Sequence, residues 1–207
     1  MDTTAFFKLT YGLYVVTTKS NDKESGCVIN TMTQATSEPS QVTVTLNKNN
    51  YTTELIQESG VFNVSVLLES VTMDTIRQFG FQSGRDVNKF TEGNYGTDAN
   101  GVKYLTQDTA AVFTCRVKKS MDAGTHILFL AEVEDAKSLS DDEVLTYANY
   151  HNKKNGTTPK SAPSYVEETQ KQGWRCDICG YIYEGDSLPD DYTCPICKMD
   201  ASHFEKL

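Results

Sequence analysis

The strongest constraint on this chain lies at its far end. Of its six cysteines, four fall within the last 32 of 207 residues, as Cys176, Cys179, Cys194 and Cys197. The spacing is C-x2-C, 14 intervening residues, then C-x2-C. A C-x-x-C turn lets two thiolates converge on one ion, and two such turns face to face complete a tetrahedron. A redox dithiol or a disulfide staple would account for one pair and leave the other unexplained. By softness and geometry, four thiolates suit zinc and iron equally well. Zinc would make a structural ribbon; iron changes valence and would make an electron carrier. A segment of ~34 residues is too small for a hydrophobic core alone to hold. The metal must therefore contribute folding energy, and the metal-free tail is expected to be disordered.

The remainder is long enough for a second, larger domain, because single domains usually run to ~100–150 residues. Lys and Arg number 19 against 28 Asp and Glu, a net charge of −9. That argues against nucleic acid, whose phosphates call for clustered cations. No apolar run approaches the ~18 residues of a membrane span. The opening Met-Asp-Thr-Thr-Ala-Phe-Phe has no basic stretch leading into a long apolar one, so no secretion signal is expected and the cytoplasm is the default location. Residues 151–173 have linker composition, polar with Pro159 and Pro163, and carry one aromatic, Tyr165, placed to pin part of the segment to the main body.

Residues 1–150 read as a mainly β domain. Leu13–Thr18 is a strand, Asn21-Asp22 a hairpin tip, and the chain returns through Gly26–Asn30. Val42–Leu46, Phe62–Leu68 and Ala111–Val117 alternate with period two, and Ile127–Val133 reads as a buried strand. In the second of these, Asn63 and Ser65 fall on the face opposite Phe62 and Val64; in the next, Thr114 opposes Cys115. Short helices fit at 52–59 and 71–78, with Thr52 and Ser70 as N-caps. Many short strands with few helices imply a closed or split barrel. Cys27 and Cys115 fit apolar strand faces as core residues.

The tail resembles rubredoxin. The match is carried by Trp174, the run Cys179-Gly180-Tyr181-Ile182-Tyr183, the Pro189-Asp190-Asp191 turn, Cys194-Pro195-Ile196-Cys197 and the trailing Phe204-Glu205. It implies one iron held by Cys176, Cys179, Cys194 and Cys197, with zinc as a substitute. The stretch between the pairs is shorter than in free-standing rubredoxins, and Lys198 stands where a glycine is common. The tail carries seven acidic residues against three basic ones, either a solvated surface or a means of steering toward a basic partner.

The larger region resembles the flavin reductase-like family, the FMN-binding split barrels of Greek-key type. Tyr11–Thr17, Gly26–Thr33, Leu46–Thr52, Phe79-Gly80, Ser83–Phe90 and Gly124–Val133 carry the likeness by their order. The resemblance implies that FMN phosphate meets Lys48, Thr52 and the Ser83-Gly84-Arg85 loop. The neighbouring Asn47 and Asn50 belong to the same site. Asn30, Thr31, Met32, Thr33, Gln34 and Ala35 would contact the isoalloxazine, and Lys89 and Phe90 would cover the flavin edge or guide the nicotinamide. For Lys89 an ordinary surface lysine is the alternative. His126 would position flavin and nicotinamide, because hydride transfer needs orientation and a dry pocket more than a single acid.

The two resemblances together imply a relay. NAD(P)H reduces FMN, FMN reduces the iron one electron at a time, and an acceptor protein is served in turn. In anaerobes that acceptor would be a flavodiiron protein acting on O2 or NO. A homodimer with flavin at its interface is implied too, with the tail free to accept electrons from either subunit's flavin. Two other readings stand beside this: a flavin reductase with a structural zinc tail, and a non-enzymatic carrier reduced by another protein.

Overall fold

The computed structural model describes residues 2–91, 93–154, 157 and 173–207. After a short 3-10 turn at Thr3–Lys8, the strands β1 (Tyr14–Ser20), β2 (Lys23–Ile29), β3 (Met32–Ser37) and β4 (Ser40–Asn47) follow in succession. Helix α1 (Tyr51–Ser59), β5 (Val61–Leu67) and helix α2 (Met73–Gly80) come next. A small hairpin, β6 (Tyr95–Thr97) and β7 (Lys103–Leu105), precedes the long strands β8 (Thr109–Asp122) and β9 (His126–Ser138) and helix α3 (Tyr147–Lys154). The tail holds β10 (Trp174–Cys176), β11 (Ile182–Tyr183) and β12 (Phe204–Lys206).

Seven strands form one antiparallel sheet in the order β2-β1-β5-β8-β9-β4-β3. The non-sequential neighbours β1–β5 and β9–β4 are the Greek-key crossings. The sheet curls on itself, since Val16, Cys27 and Ile29 at one end share a core with Val42, Val44 and Leu46 near the other, around Phe62 and Phe129. This is the split barrel. Asn21 and Asp22 form the β1–β2 turn, with Asn21 at φ 54°, a conformation that asparagine tolerates. Cys27 and Cys115 are buried in the barrel core, as expected.

Strand β5 departs from simple alternation: Asn63 and Ser65 are as buried as Phe62 and Val64. The β6–β7 hairpin lies over that face and draws its hydrogen bonds from it. Asn63 Nδ2 donates to the Val102 carbonyl (3.1 Å), and Ser65 Oγ accepts from Leu105 N (3.2 Å). Thr17 Oγ1 on β1 donates to the Lys103 carbonyl. Thr114, on the polar side of its strand, is buried as well and donates to Asn63 Oδ1 (2.8 Å). Period two marks these strands, but only the tertiary fold reveals that their polar face is covered.

The helix starts also shift. Helix α1 begins at Tyr51 with Asn50 as cap, and Thr52 instead bonds Ser25 Oγ at 2.9 Å. Helix α2 begins at Met73 with Thr72 as cap, its side chain accepting from Thr75 N; Ser70 donates to Asp108 Oδ1. At α2 either Ser70 or Thr72 is a hydroxyl suited to a cap, and the bond of Ser70 to Asp108 leaves the role to Thr72; Asn50 makes no side-chain cap bond at α1. Helix α3 carries the first domain as far as Lys154, into the segment of linker composition. Pro159, Pro163 and Tyr165 lie outside the described residues. No helix among the described residues is long and apolar enough to cross a membrane.

Candidate functional site

The knuckle is built from two nearly equivalent turns. Gly180 N donates to the Cys176 carbonyl (2.9 Å), and Lys198 N donates to the Cys194 carbonyl (3.0 Å). Cys176 N and Cys194 N donate in turn to the Tyr181 and Met199 carbonyls, both at 2.8 Å. The residue after each second cysteine is left-handed, Gly180 at φ 83° and Lys198 at φ 65°. A glycine is common at the latter place because the turn demands a positive φ, which lysine adopts at a cost.

The four Sγ atoms are buried and lie within 4.8 Å of one another, with Cys176–Cys197 at 3.5 Å and Cys179–Cys194 at 3.6 Å. Four thiolates around one ion, each ~2.3 Å from it, would sit ~3.8 Å apart. The cage therefore needs almost no adjustment to hold a metal. Its protons are in conflict without one. Hydrogen bonds with Cys176 and Cys194 hold the Cys179 thiol up, while hydrogen bonds with Cys176 and Cys179 pull Cys194 down. A cation removes the conflict by ionising the whole set.

A second site opens on the barrel, a cavity of about 330 Å³. Nine of the expected residues line it: Asn30, Thr31, Asn47, Asn50, Thr52, Ser83, Gly84, Lys89 and His126. They come from the turn after β2, the β4–α1 junction, the loop after α2 and the start of β9. His126 pairs with Asn47 across the β4–β9 ladder, and its Nδ1 shares a hydrogen bond with Thr125 Oγ1 (2.8 Å). Gly84 has a steric reason to be glycine, since a Cβ there would collide with Ser25 Oγ.

Lys89 is no surface lysine. It is 3% exposed, and its ammonium donates to the Gly26 (2.8 Å) and Phe79 (3.2 Å) carbonyls. Burial lowers its pKa to about 8, partly opposed by the neighbouring Cys27. Burial raises the Cys27 thiol. A desolvated cation on a polar wall is a strong reason for an anion to bind there, so the lining fits a phosphate-bearing, partly apolar ligand such as FMN.

The other expected residues stand elsewhere. Met32 is half-buried, and Thr33, Gln34 and Ala35 are exposed along β3, the edge of the sheet. Lys48 pairs with Asp122 at 2.6 Å. Arg85 pairs with Glu54 and stacks over the Tyr51 ring, 4.6 Å from its centroid. Phe90 packs edge-on between Phe79 and Tyr95 in a second core.

Sequence reasoning missed several wall residues, among them Ser25, Phe81, Tyr147 and Tyr150, and most notably Asp177 and Ile178 from inside the first C-x-x-C turn. No local signal marks Asp177 and Ile178, because they meet the cavity only when the tail folds back onto the barrel.

A split barrel with a polar cavity beside a four-thiolate cage defines a flavin-dependent oxidoreductase carrying an iron-type electron carrier. The chain belongs to the flavin reductase like domain family, whose profile matches residues 6–156, and a rubrerythrin, rubredoxin-like domain matches 174–205. It is similar along 100% of its length to 100% of the high molecular weight rubredoxin of Moorella thermoacetica, 41% identical over 229 aligned residues. Over 81% of its length it is 47% identical to the ferric-chelate reductase (NAD(P)H) of Archaeoglobus fulgidus, covering 99% of that protein. Among solved structures, an NADH:FAD oxidoreductase of Streptomyces globisporus matches 69% of this chain and 83% of its own with a TM-score of 0.63 at 21% identity. An FMN-binding protein of Thermus thermophilus matches 66% and 76% with a TM-score of 0.60 at 18% identity. Likeness at that identity speaks for the fold alone. The chain is thus an oxidoreductase of the flavin reductase type whose cofactors are flavin and, in the four-cysteine cage, iron.

Proposed function

We propose that the chain passes electrons from NAD(P)H through FMN to its own Fe(Cys)4 centre and on to a separate acceptor protein, of the flavodiiron class in an anaerobic cytoplasm. When bound, flavin takes a hydride and yields its electrons singly, and iron accepts one electron at a time. One observation carries the reading: Asp177 and Ile178 of the iron knuckle line the same cavity as Lys89, Thr52 and His126.

The residues divide the work. Lys89 holds negative charge. The Ser83-Gly84 backbone and Thr52 cradle phosphate, with the absence of a Cβ on Gly84 letting its loop lie close against Ser25. Asn30, Thr31 and His126 orient the ring. Phe79, Phe81 and Tyr150 exclude water from that side. The exposed β3 edge offers a surface on which a second copy would complete a homodimer, bringing Met32, Thr33, Gln34 and Ala35 to a shared site.

The test is the absorption spectrum of natively purified, anaerobic protein before and after NADH. Flavin and iron bands should both bleach. Iron that stays oxidised beside fully reduced flavin, or a colourless zinc-loaded tail, would defeat the relay.

A further inference from the structure

Helix α2 has two faces. Ile76 and Phe79 turn inward to the second core. Met73, Arg77 and Phe81, spaced four apart along the helix and its C-cap, meet the tail, and Met73 and Phe81 also touch the edge of that core, so that they bridge the two. Met73 and Phe81 pack against the cluster of Cys176, Cys179, Cys194, Ile196 and Cys197. Arg77 Nε donates to the Ile196 carbonyl, the residue between the second pair of cysteines, while its NH1 holds Asp74. A guanidinium on a buried carbonyl fixes orientation, and two apolar side chains exclude water from the cage.

We propose that this face of α2 is the docking surface for the chain's own iron knuckle, and that docking there seats Ile178 at the mouth of the flavin cavity in the same subunit. The inference rests on the relay reading and adds where discharge takes place. Each hydride from NAD(P)H brings two electrons, and the knuckle accepts one per visit. One hydride therefore needs two dockings, with an external acceptor protein oxidising the iron between them. A small contact of two apolar residues and one arginine that bonds a backbone carbonyl suits a tail that must bind and leave repeatedly.

Met73→Glu and Arg77→Glu lie outside the cavity wall and serve as probes in the full-length holoprotein; Arg77→Ala is the milder substitute should either fail to fold. In anaerobic stopped-flow with NADH, flavin bleaching should keep its rate, while iron bleaching should slow about tenfold or more, as expected when a reacting pair loses its orientation. In the zinc-loaded chain, hydrogen exchange at 73–81 and 176–179 should rise in the same variants. Unchanged iron bleaching together with unchanged exchange would overturn the docking surface. Iron that never bleaches in the unaltered protein would sink the relay instead, and the exchange experiment would still decide whether the knuckle docks on α2.

Discussion

Lys89 offers the sharpest test of the flavin site. Two of its three N–H groups are taken by the Gly26 and Phe79 carbonyls, and the third is available to an anion in the cavity. With a pKa of about 8, the ammonium is mostly charged at pH 7 and mostly neutral at pH 9. An anionic ligand binds the charged form, so above pH 8 binding must take up a proton. FMN affinity in flavin-free protein should therefore be level below pH 8 and weaken about tenfold from pH 7 to pH 9. Lys89→Met should bind FMN about 30-fold or more weakly, a loss of roughly 2 kcal/mol for one charge-assisted bond, and its affinity should not vary over that range. Riboflavin, which lacks the phosphate, should show neither effect. Quenching of flavin fluorescence measures all three. A wild-type affinity that is flat to pH 9, or a Met variant with the same decline, would refute the argument.

Four further outcomes are expected. Without flavin, the same lysine gives stability a slope: between pH 8 and its ordinary 10.5 the unfolded chain holds the proton and the folded one does not. Stability to urea should then rise with pH by about 3 kcal/mol more in wild type than in Lys89→Met. Cys179→Ser, or chelation of the metal, should abolish amide protection across 174–207 while β5 and β8 remain protected in hydrogen exchange. Lys198→Gly should stabilise the loaded knuckle by about 1 kcal/mol, read as slower loss of metal to a chelator, because glycine accepts the φ of 65° that lysine resists. Asn63→Ala should cost about 2–3 kcal/mol in urea unfolding, since it strips partners from Thr114 Oγ1 and the Val102 carbonyl inside a covered face.

The chemistry of the tail is legible in its residues alone. Two C-x-x-C turns are local objects, and four such sulfurs in so short a segment have few ways to be satisfied except around an ion. The barrel strands were legible for a similar reason: a half-buried strand must alternate, and β4 and the first half of β8 do so in sequence. Several of the residues expected from the loops meet at one cavity, Gly84, Thr52 and His126 among them. Lys48 and Arg85 look like phosphate ligands by type, yet their charges are taken up by Asp122 and Glu54.

Tertiary structure alone decided three things. It buried Lys89, because the loop after α2 carries that residue back beneath β2. It covered Asn63 and Ser65 with a hairpin some forty residues further on. And it laid the knuckle along α2. Each depends on which distant surfaces meet, and pairing of that kind leaves no periodicity in the chain. Ligand type is written locally in side chains and turns; burial, and with it the charge state of a lysine or the neighbour of a metal cage, is set by packing across the whole molecule.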